Sequence, residues 1–176
     1  MIINNVGIPG VFLIAPEPLA DERGFFARTV CTDTFADFGM RSDFVQQSVS
    51  FNHQRNTLRG MHYQAAPHEE EKLVRVTSGA IFDVVVDLRK ESPCFRQWYG
   101  VELSADNRYA LYIPKGIAHG FLTLLDTAEI LYQMTVPHHP ESARGIRWDD
   151  PALKIAWPCT PALISARDQG YPDMIL

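Results

Sequence analysis

Two short stretches of the chain place histidines where they could do chemistry. The first, RGMHYQAAPHEEEKLVRV at residues 59–76, has His62 two positions before Gln64, and Lys72 follows further along. The second, IPKGIAHGF at residues 113–121, has His119 three positions after a glycine. An imidazole can bind a metal ion, and it can also accept or donate a proton near neutral pH. Both stretches are therefore candidate parts of one site.

Together the two stretches resemble the paired motifs of cupin-type β-barrels, in which histidines and a glutamate commonly hold a divalent metal. Lys72 occupies the place of that glutamate in this chain. Its ammonium group has three donors and no lone pair, and its charge would repel a metal cation in a barrel interior. The same charge can stabilise an oxyanion without a metal. We therefore expect a site without metal, acting on a substrate that develops negative charge on an oxygen.

A second function stays open for these residues. His62, Gln64 and His119, with a carboxylate from the glutamates at residues 69–71, could hold a metal in a cupin isomerase or dioxygenase. Taken alone, His119 could also be a buried, hydrogen-bonded core residue. Because His62 is expected to point into the same barrel, we expect His119 to face the site with it.

The elements that must position these side chains are predicted to be β-strands. Apolar runs rich in β-branched and aromatic residues recur between turn signals, among them GVFLIAP, EKLVRVTSGAIFDVVVDLR, QWYGVEL, YALYIP and GFLTLLDTAEILYQMTV. The chain has 12 prolines, which suit turns and strand edges better than helices. The pattern predicts an all-β fold, a cupin-like jelly-roll barrel or sandwich with a few short helices, as one domain over residues 1–176.

Local signals add detail to this fold. The segments SGA at 78–80, SADN at 104–107 and LDTA at 125–128 predict three hairpin turns. The segment TDTFADFGM predicts one short amphipathic helix, with Thr32 as its N-cap.

Composition narrows the class of protein. A formal net charge of −5 argues against an extended basic surface for nucleic acid, although local arginine clusters could still hold a small anion. The three cysteines, Cys31, Cys94 and Cys159, are widely spaced and predict neither a disulfide framework nor a thiolate zinc site. The first residues lack a basic segment followed by a long apolar run. We expect a cytoplasmic protein without nucleic-acid or membrane partners.

Over nearly its full length the chain resembles one family. The segments DERGFF, LRGMHYQ, IPKGIAHGF, ILYQM and ARDQ follow one another as in the dTDP-4-dehydrorhamnose 3,5-epimerases. The resemblance implies a homodimeric, metal-free, cupin-like jelly roll without a cofactor. It also implies an enzyme that acts on a nucleotide-linked 4-keto-6-deoxy sugar. Such an enzyme inverts C3, C5 or both by removing a proton next to the ketone and returning one on the other face.

The resemblance also implies roles for four residues. His62 matches the base, and Asp168 matches the carboxylate that orients it and stabilises its protonated form. Lys72 matches the cation that faces the oxygen on C4, and Tyr132 matches the acid that reprotonates the carbanion. These types fit the chemistry, because a C–H beside a ketone needs a base, an enolate stabiliser and an acid on the opposite face. A pure nucleotide-sugar-binding cupin, a third possibility, would not need both the acid and the base.

Other positions match substrate contacts of the family. Arg23 and Arg59 match residues that hold the pyrophosphate, where a guanidinium can pair with two phosphate oxygens at once. Arg167 is a further candidate for this task, and Phe26 matches an aromatic residue near the nucleotide. Gln47 and His119 complete the expected substrate contacts around the sugar.

The chain departs from the family pattern at several of these positions. His138 stands where a second tyrosine is familiar, six residues after Tyr132. Gln47, Ser48 and Val49 replace Asp, Asn and His, and Arg28 replaces a glutamate. Two interpretations remain open. In the first, the reaction type is the same but the substrate or the inverted carbon differs. In the second, the changes are neutral and the protein is an ordinary 3,5-epimerase.

Overall fold

The structure is a computed structural model that describes residues 1–174, and its regular secondary structure in that range is mainly β-strand. One six-stranded sheet contains, in spatial order, β1 (Ile2–Asn5), β2 (Phe12–Ala15), β10 (Ala110–Ile113), β7 (Lys72–Ser78), β12 (Ala128–Met134) and β5 (Gln46–Asn52). The other contains β13 (Ala143–Gly145), β6 (Thr57–Gln64), β11 (Ile117–Thr123), β8 (Ala80–Asp87) and β9 (Trp98–Ser104), with β14 (Leu163–Ile164) added parallel to β6. We refer to them as the first and the second sheet.

Three smaller elements complete the described chain. A hairpin of β3 (Leu19–Asp21) and β4 (Gly24–Phe26) stands apart from both sheets. The helices α1 (Thr32–Asp37) and α2 (Ala166–Gln169) are short, and a 3-10 turn covers Pro140–Ser142. The two sheets, antiparallel apart from the short β14–β6 pair, confirm the predicted all-β jelly roll. The predicted single domain stays a prediction, and its last two residues lie outside the described range.

The core lies between the two sheets and continues on their outer faces. Strands β7, β10 and β12 face β8, β9 and β11 across a central apolar cluster. Helix α1 covers the first sheet with Phe35, while the segment that carries Ile146, Leu153 and Trp157 packs on the second sheet. Because β8 and β11 are buried on both faces, they are mainly apolar without alternation, although both include buried polar residues such as Asp83 and His119.

The three predicted hairpins are wrong, although each predicted turn is present. The segment at 78–80 joins β7 to β8, but β7 pairs with β10 and β12 in the first sheet, while β8 pairs with β11 and β9 in the second. The turns at 104–107 and 125–128 likewise connect strands of different sheets. Each turn is therefore a corner of the jelly roll, where the chain crosses from one layer to the other.

The predicted helix is confirmed, but its predicted cap is wrong. Helix α1 begins at Thr32, and Cys31 is the N-cap residue in extended conformation, without a side-chain hydrogen bond to the helix. The Thr32 hydroxyl instead accepts a hydrogen bond from Ser42. All three cysteines are free thiols. Among the described residues no helix is long and apolar enough to span a membrane.

Candidate functional site

A cavity of about 450 Å³ opens between the two sheets and is lined by three of the four predicted catalytic residues. The second sheet contributes His62 and Gln64 from β6, and the first sheet contributes Lys72 from β7 and Tyr132 from β12. The remaining lining residues come from β5, β6, β12, β13, α2 and the connecting segments, namely Gln46, Ser48, Tyr63, Glu70, Met134, His138, Ala143, Arg144 and Arg167. The catalytic residues predicted from the sequence thus surround one space, apart from Asp168, which lies behind His62.

His62 and Asp168 form a hydrogen-bonded pair at the wall of the cavity. The His62 Nε2 atom lies 2.7 Å from Asp168 Oδ1, and Asp168 is buried. Burial alone would raise the pKa of Asp168, but the hydrogen bond and charge of His62, with the Gly60 N–H and Ser165, hold that pKa below its usual value. The carboxylate therefore stays ionised and orients the imidazole.

The C-terminal segment delivers Asp168 to this position. Strand β14 pairs in parallel with the start of β6, and α2 follows it directly. The Ser165 side chain caps α2 by accepting a hydrogen bond from the Asp168 backbone N–H at 3.1 Å. The other carboxylate oxygen, Oδ2, accepts the Gly60 N–H at 3.2 Å. Both carboxylate oxygens are thus fixed to β6, Oδ1 by His62 and Oδ2 by Gly60.

Two glycines allow the close packing around His62. Gly60 has φ 136°, and a Cβ atom there would lie 2.5 Å from the Cα of Gly120 on the neighbouring strand β11. A Cβ on Gly145 would lie 2.2 Å from the ring of Tyr171. That ring in turn contacts His62 edge-on, with centroids 6.0 Å apart. Side chains at either glycine would therefore displace the backbone or the ring that holds His62.

Lys72 is held by a carboxylate within the cavity. Its Nζ lies 2.8 Å from Glu70 Oε1, and both side chains are largely buried. The second oxygen of Glu70 accepts a hydrogen bond from Gln64 Nε2 at 3.3 Å. The ammonium group is therefore fixed in place with its charge partly balanced. From this position the ammonium group could donate a hydrogen bond to an anionic oxygen in the cavity.

Tyr132 lies deep in the cavity and stays protonated. Burial of its hydroxyl and the charge of Asp83 raise the pKa of Tyr132 far above its ordinary value, and the charge of Arg59 opposes this shift. A phenol in this setting can donate a proton to a strong base such as a carbanion. The nearby guanidinium then stabilises the phenolate that forms.

The structure corrects the expected role of His119. The residue is buried, and its Nε2 lies 2.7 Å from Asp83 Oδ1. Its ring contacts Tyr132 edge-on with centroids 5.9 Å apart, and it is absent from the cavity lining. The His119 imidazole is engaged by a core carboxylate and packs against Tyr132 on the side away from the cavity. It is therefore not a substrate contact in this structure.

Base and acid candidates come from opposite sheets. His62 belongs to the second sheet and Tyr132 to the first, and the cavity lies between them. A flat substrate in the cavity would therefore present one face to His62 and the other to Tyr132. The arrangement suits removal of a proton on one face and delivery of a proton on the other.

A neighbouring cleft of about 390 Å³ shares His62 and Arg167 with the first cavity, and Arg59 lines it. The Arg59 Nε donates to Asn52 Oδ1 at 2.7 Å, which anchors the guanidinium while its outer part stays exposed. Arg167 is exposed and lies over the Tyr171 ring. Arg59 and Arg167 thus place two positive charges along one continuous groove.

The structure also corrects the prediction for Gln47. Residues of β5 alternate between the two faces, so that Gln46 and Ser48 line the cavity and Gln47 is exposed on the other face. The Gln46 Oε1 atom accepts the His138 backbone N–H at 2.9 Å, which ties β5 to the rim where His138 lies. Sequence reasoning missed Gln46 and Arg144. For Gln46, the only signal in the sequence is the alternation of side chains along a strand, which places residues 46 and 48 on the same face.

Arg23 and Phe26 do not reach this cavity in their own chain. Both belong to the β3–β4 hairpin, in which the Arg23 side chain is 84% exposed and pairs with Asp21. Phe26 is 73% exposed. In the described chain Arg23 contacts Asp21, and neither Arg23 nor Phe26 lines the cavity.

The geometry does not favour the alternative of a metal held by His62 and His119. Each imidazole has its own carboxylate at 2.7 Å, Asp168 for His62 and Asp83 for His119. Lys72, paired with Glu70, adds a positive charge to the cavity lining. The site is therefore arranged for an anionic oxygen and not for a cation.

Known proteins match the chain over nearly its whole length. The family model described as dTDP-4-dehydrorhamnose 3,5-epimerase matches residues 5–175. The dTDP-4-dehydrorhamnose 3,5-epimerase of Salmonella typhimurium is 45% identical over 175 residues, which cover 98% of this chain and 94% of that protein. A crystal structure of the enzyme of that name from Bacillus anthracis, with TDP and PPi bound, is 38% identical with a TM-score of 0.93 and covers 98% of both chains.

A second solved structure adds a bound sugar nucleotide. It is the dTDP-6-deoxy-D-glucose-3,5-epimerase of Legionella pneumophila in complex with dTDP-4-keto-L-rhamnose, which is 41% identical with a TM-score of 0.87 and covers 94% of this chain and 88% of that one. Sequence, fold and site geometry agree. This chain belongs to the dTDP-4-dehydrorhamnose 3,5-epimerase family.

Proposed function

We propose that the protein is an isomerase that epimerises a dTDP-linked 4-keto-6-deoxy sugar next to its ketone, in deoxysugar biosynthesis. The observation that carries the proposal is the position of His62 and Tyr132 on opposite sheets, with one cavity between them. Inversion at a carbon needs a proton acceptor on one face and a donor on the other. The family and its ligand-bound members support the class of substrate.

The proposed reaction has two proton transfers. His62 removes the proton from a carbon beside C4, and Asp168 stabilises the imidazolium that forms. The electron pair moves onto the C4 oxygen, and the Lys72 ammonium stabilises this enolate. Tyr132 then donates its proton to the same carbon from the opposite face. The phenolate next to Arg59 and the protonated His62 return to their starting states by exchange with water.

The nucleotide side of the substrate is proposed to lie along the neighbouring groove. Arg59 and Arg167 line it, and a guanidinium pairs well with the oxygens of a diphosphate. His138 and Gln46 lie at the rim of the sugar cavity, where they would contact the sugar or the first phosphate.

The function is tested by incubation in D2O with dTDP-4-keto-6-deoxyglucose, followed by NMR at C3 and C5.

His138 replaces a second tyrosine with a smaller ring, so we predict fast deuterium incorporation at one carbon, C3, and slow incorporation at C5. His138→Tyr should raise exchange at the slower carbon. Equally fast exchange at both carbons in the parent would show that His138 is neutral, whereas exchange at neither carbon would contradict the proposed function.

The protein is further proposed to be a homodimer in which each β3–β4 hairpin serves the neighbouring site. Strand β5 is the edge of the first sheet, and its outward residues Val49 and Phe51 are exposed apolar side chains. Pairing of such edges between two copies would bury this surface. Arg23 and Phe26 would then reach the nucleotide groove of the partner.

Light scattering at micromolar concentration should therefore show a dimer. We predict that Arg23→Ala raises KM more than it lowers kcat, since the hairpin contributes only binding. When the Arg23→Ala and His62→Asn proteins are unfolded, mixed and refolded together, mixed dimers should regain one intact site and part of the low-KM activity. A monomer, or no recovery after mixing, would count against shared sites.

A cytoplasmic location is proposed as well. The support is that Cys31, Cys94 and Cys159 are all free, as is usual for proteins of a reducing compartment. A nucleotide-activated sugar as substrate agrees with this location.

A further inference from the structure

A cluster of two histidines and a glutamate lies beside the catalytic cavity and has no part in the proposed reaction. His68 is in the segment between β6 and β7, while His139 and Glu141 lie in the segment between β12 and β13. The two imidazole rings stack with centroids 3.6 Å apart and planes 6° from parallel. The His139 Nδ1 atom lies 3.0 Å from Glu141 Oε1, and the His68 Nδ1 atom lies 3.7 Å from the same oxygen.

The three side chains direct their ligand atoms at one another. One ligand atom from each of them lies within 4.8 Å of the other two. A zinc ion binds imidazole nitrogen and carboxylate oxygen at about 2.0–2.2 Å and lies close to the plane of each imidazole, so the two stacked rings must rotate out of their parallel arrangement to bind one cation. The Ser142 Oγ, 2.9 Å from His68 Nδ1, or a water molecule, is available for a fourth position.

We propose that His68, His139 and Glu141 form a binding site for one divalent transition-metal cation of the Zn²⁺ class. Two nitrogens and one carboxylate oxygen are the donor set of many zinc sites, and no fixed cation belongs to the cluster. The cavity at His62 does not offer such a site, because His62 is paired with Asp168 and Lys72 is paired with Glu70 there. The new site is thus separate from the proton-transfer residues.

Backbone hydrogen bonds hold the two segments together before any cation binds. The Ala65 N–H donates to the Ser142 carbonyl at 2.9 Å, and the Ser142 N–H donates to the His139 carbonyl at 2.9 Å. The His139 N–H donates to Gln64 Oε1 at 2.6 Å, and Gln64 Nε2 donates to the His68 carbonyl at 3.0 Å. Gln64 therefore anchors both histidine segments, so the backbone that carries the ligands is held in place and only the side chains must rotate.

Gln64 also connects this cluster to the catalytic cavity. The same amide nitrogen lies 3.3 Å from Glu70 Oε2, and Glu70 holds Lys72. A cation at the cluster would thus fix the segment that carries Glu70 without contacting the substrate. Its expected effect is on stability and on the rigidity of the cavity rim, not on the chemistry of the reaction.

The test is isothermal titration of the metal-free full-length protein with Zn²⁺. We expect one equivalent to bind and the thermal midpoint to rise with zinc concentration. Loss of a partner outside the ligand shell costs about 10- to 100-fold in metal affinity, so His139→Ala and Glu141→Gln should each cost at least about 100-fold. His53→Asn, at an exposed histidine outside the cluster, and His62→Asn should bind zinc like the parent.

Copper provides a second readout. Electron paramagnetic resonance of the Cu²⁺-loaded parent should show two coordinated imidazole nitrogens, and His139→Ala should show fewer. If His139→Ala fails to fold by circular dichroism, Glu141→Gln decides, since that side chain is 64% exposed. The proposal is overturned if the parent binds no zinc, if both cluster variants bind it equally well, or if His62→Asn abolishes binding.

Discussion

His62→Asn should lower solvent-deuterium exchange at every carbon of the substrate by about 10⁴-fold, the upper end for a single general base. The reason is geometric. His62 lines the cavity and is oriented by Asp168 at 2.7 Å, whereas the buried His119 is engaged by Asp83 and lies behind Tyr132. The His62 side chain is 39% exposed, so a shorter polar asparagine should leave the fold intact. NMR of the sugar in D2O measures the exchange.

Asp168→Asn provides the matched comparison. It removes the charge that stabilises the imidazolium but leaves the imidazole in place, so its loss of exchange should be smaller. The Gly60 N–H can still donate to the amide oxygen in place of Oδ2. Exchange near the parent rate in His62→Asn would mean that the base is elsewhere, and His119 would then be the first residue to test.

Lys72→Met should lower kcat by about 10²- to 10³-fold, the usual cost of removing one donor from an oxyanion site. The enolate oxygen would lose its fixed ammonium, while the base and the acid would remain. Lys72→Arg should keep part of the activity because it retains the charge. Steady-state rates with saturating substrate report the effect.

One complication comes from Glu70, which would lose its ion-pair partner in Lys72→Met. The double variant Glu70→Gln with Lys72→Met removes both charges and separates the two effects. If the double variant stays slow, the loss belongs to the missing oxyanion donor. Recovery to the parent rate would instead show that the unpaired carboxylate caused the defect, and that Lys72 only neutralises Glu70.

The sequence predicted the strands well and their partners poorly. The apolar runs around 72–87 and 117–134 are strands, as predicted, because their composition depends on local burial. The turn at Gly79 was interpreted as a hairpin, yet it joins two sheets. A turn fixes the change of direction but not the partner of the next strand. That choice depends on strands distant in sequence, such as β10 beside β7.

The site shows the same limit. The resemblance to the family placed His62, Lys72 and Tyr132 in one cavity, and the structure brings them together there. The prediction that Gln47 contacts the substrate is off by one residue, because neighbouring residues of a strand point to opposite faces. The Gln64 contacts to Glu70 and to the two histidine segments left no pattern in the sequence, since they join three separate segments.

The attachment of Asp168 by β14 and α2 has a consequence for how the protein is made. His62 precedes its partner carboxylate by 106 residues, and Asp168 arrives only after β1–β13 have been translated. A nascent chain can therefore form its two sheets on the ribosome while its imidazole still lacks the carboxylate. Activity then begins as a late event of synthesis, when the final parallel pairing with β6 closes. A chain that ends before β14 would accordingly lack the carboxylate that orients His62.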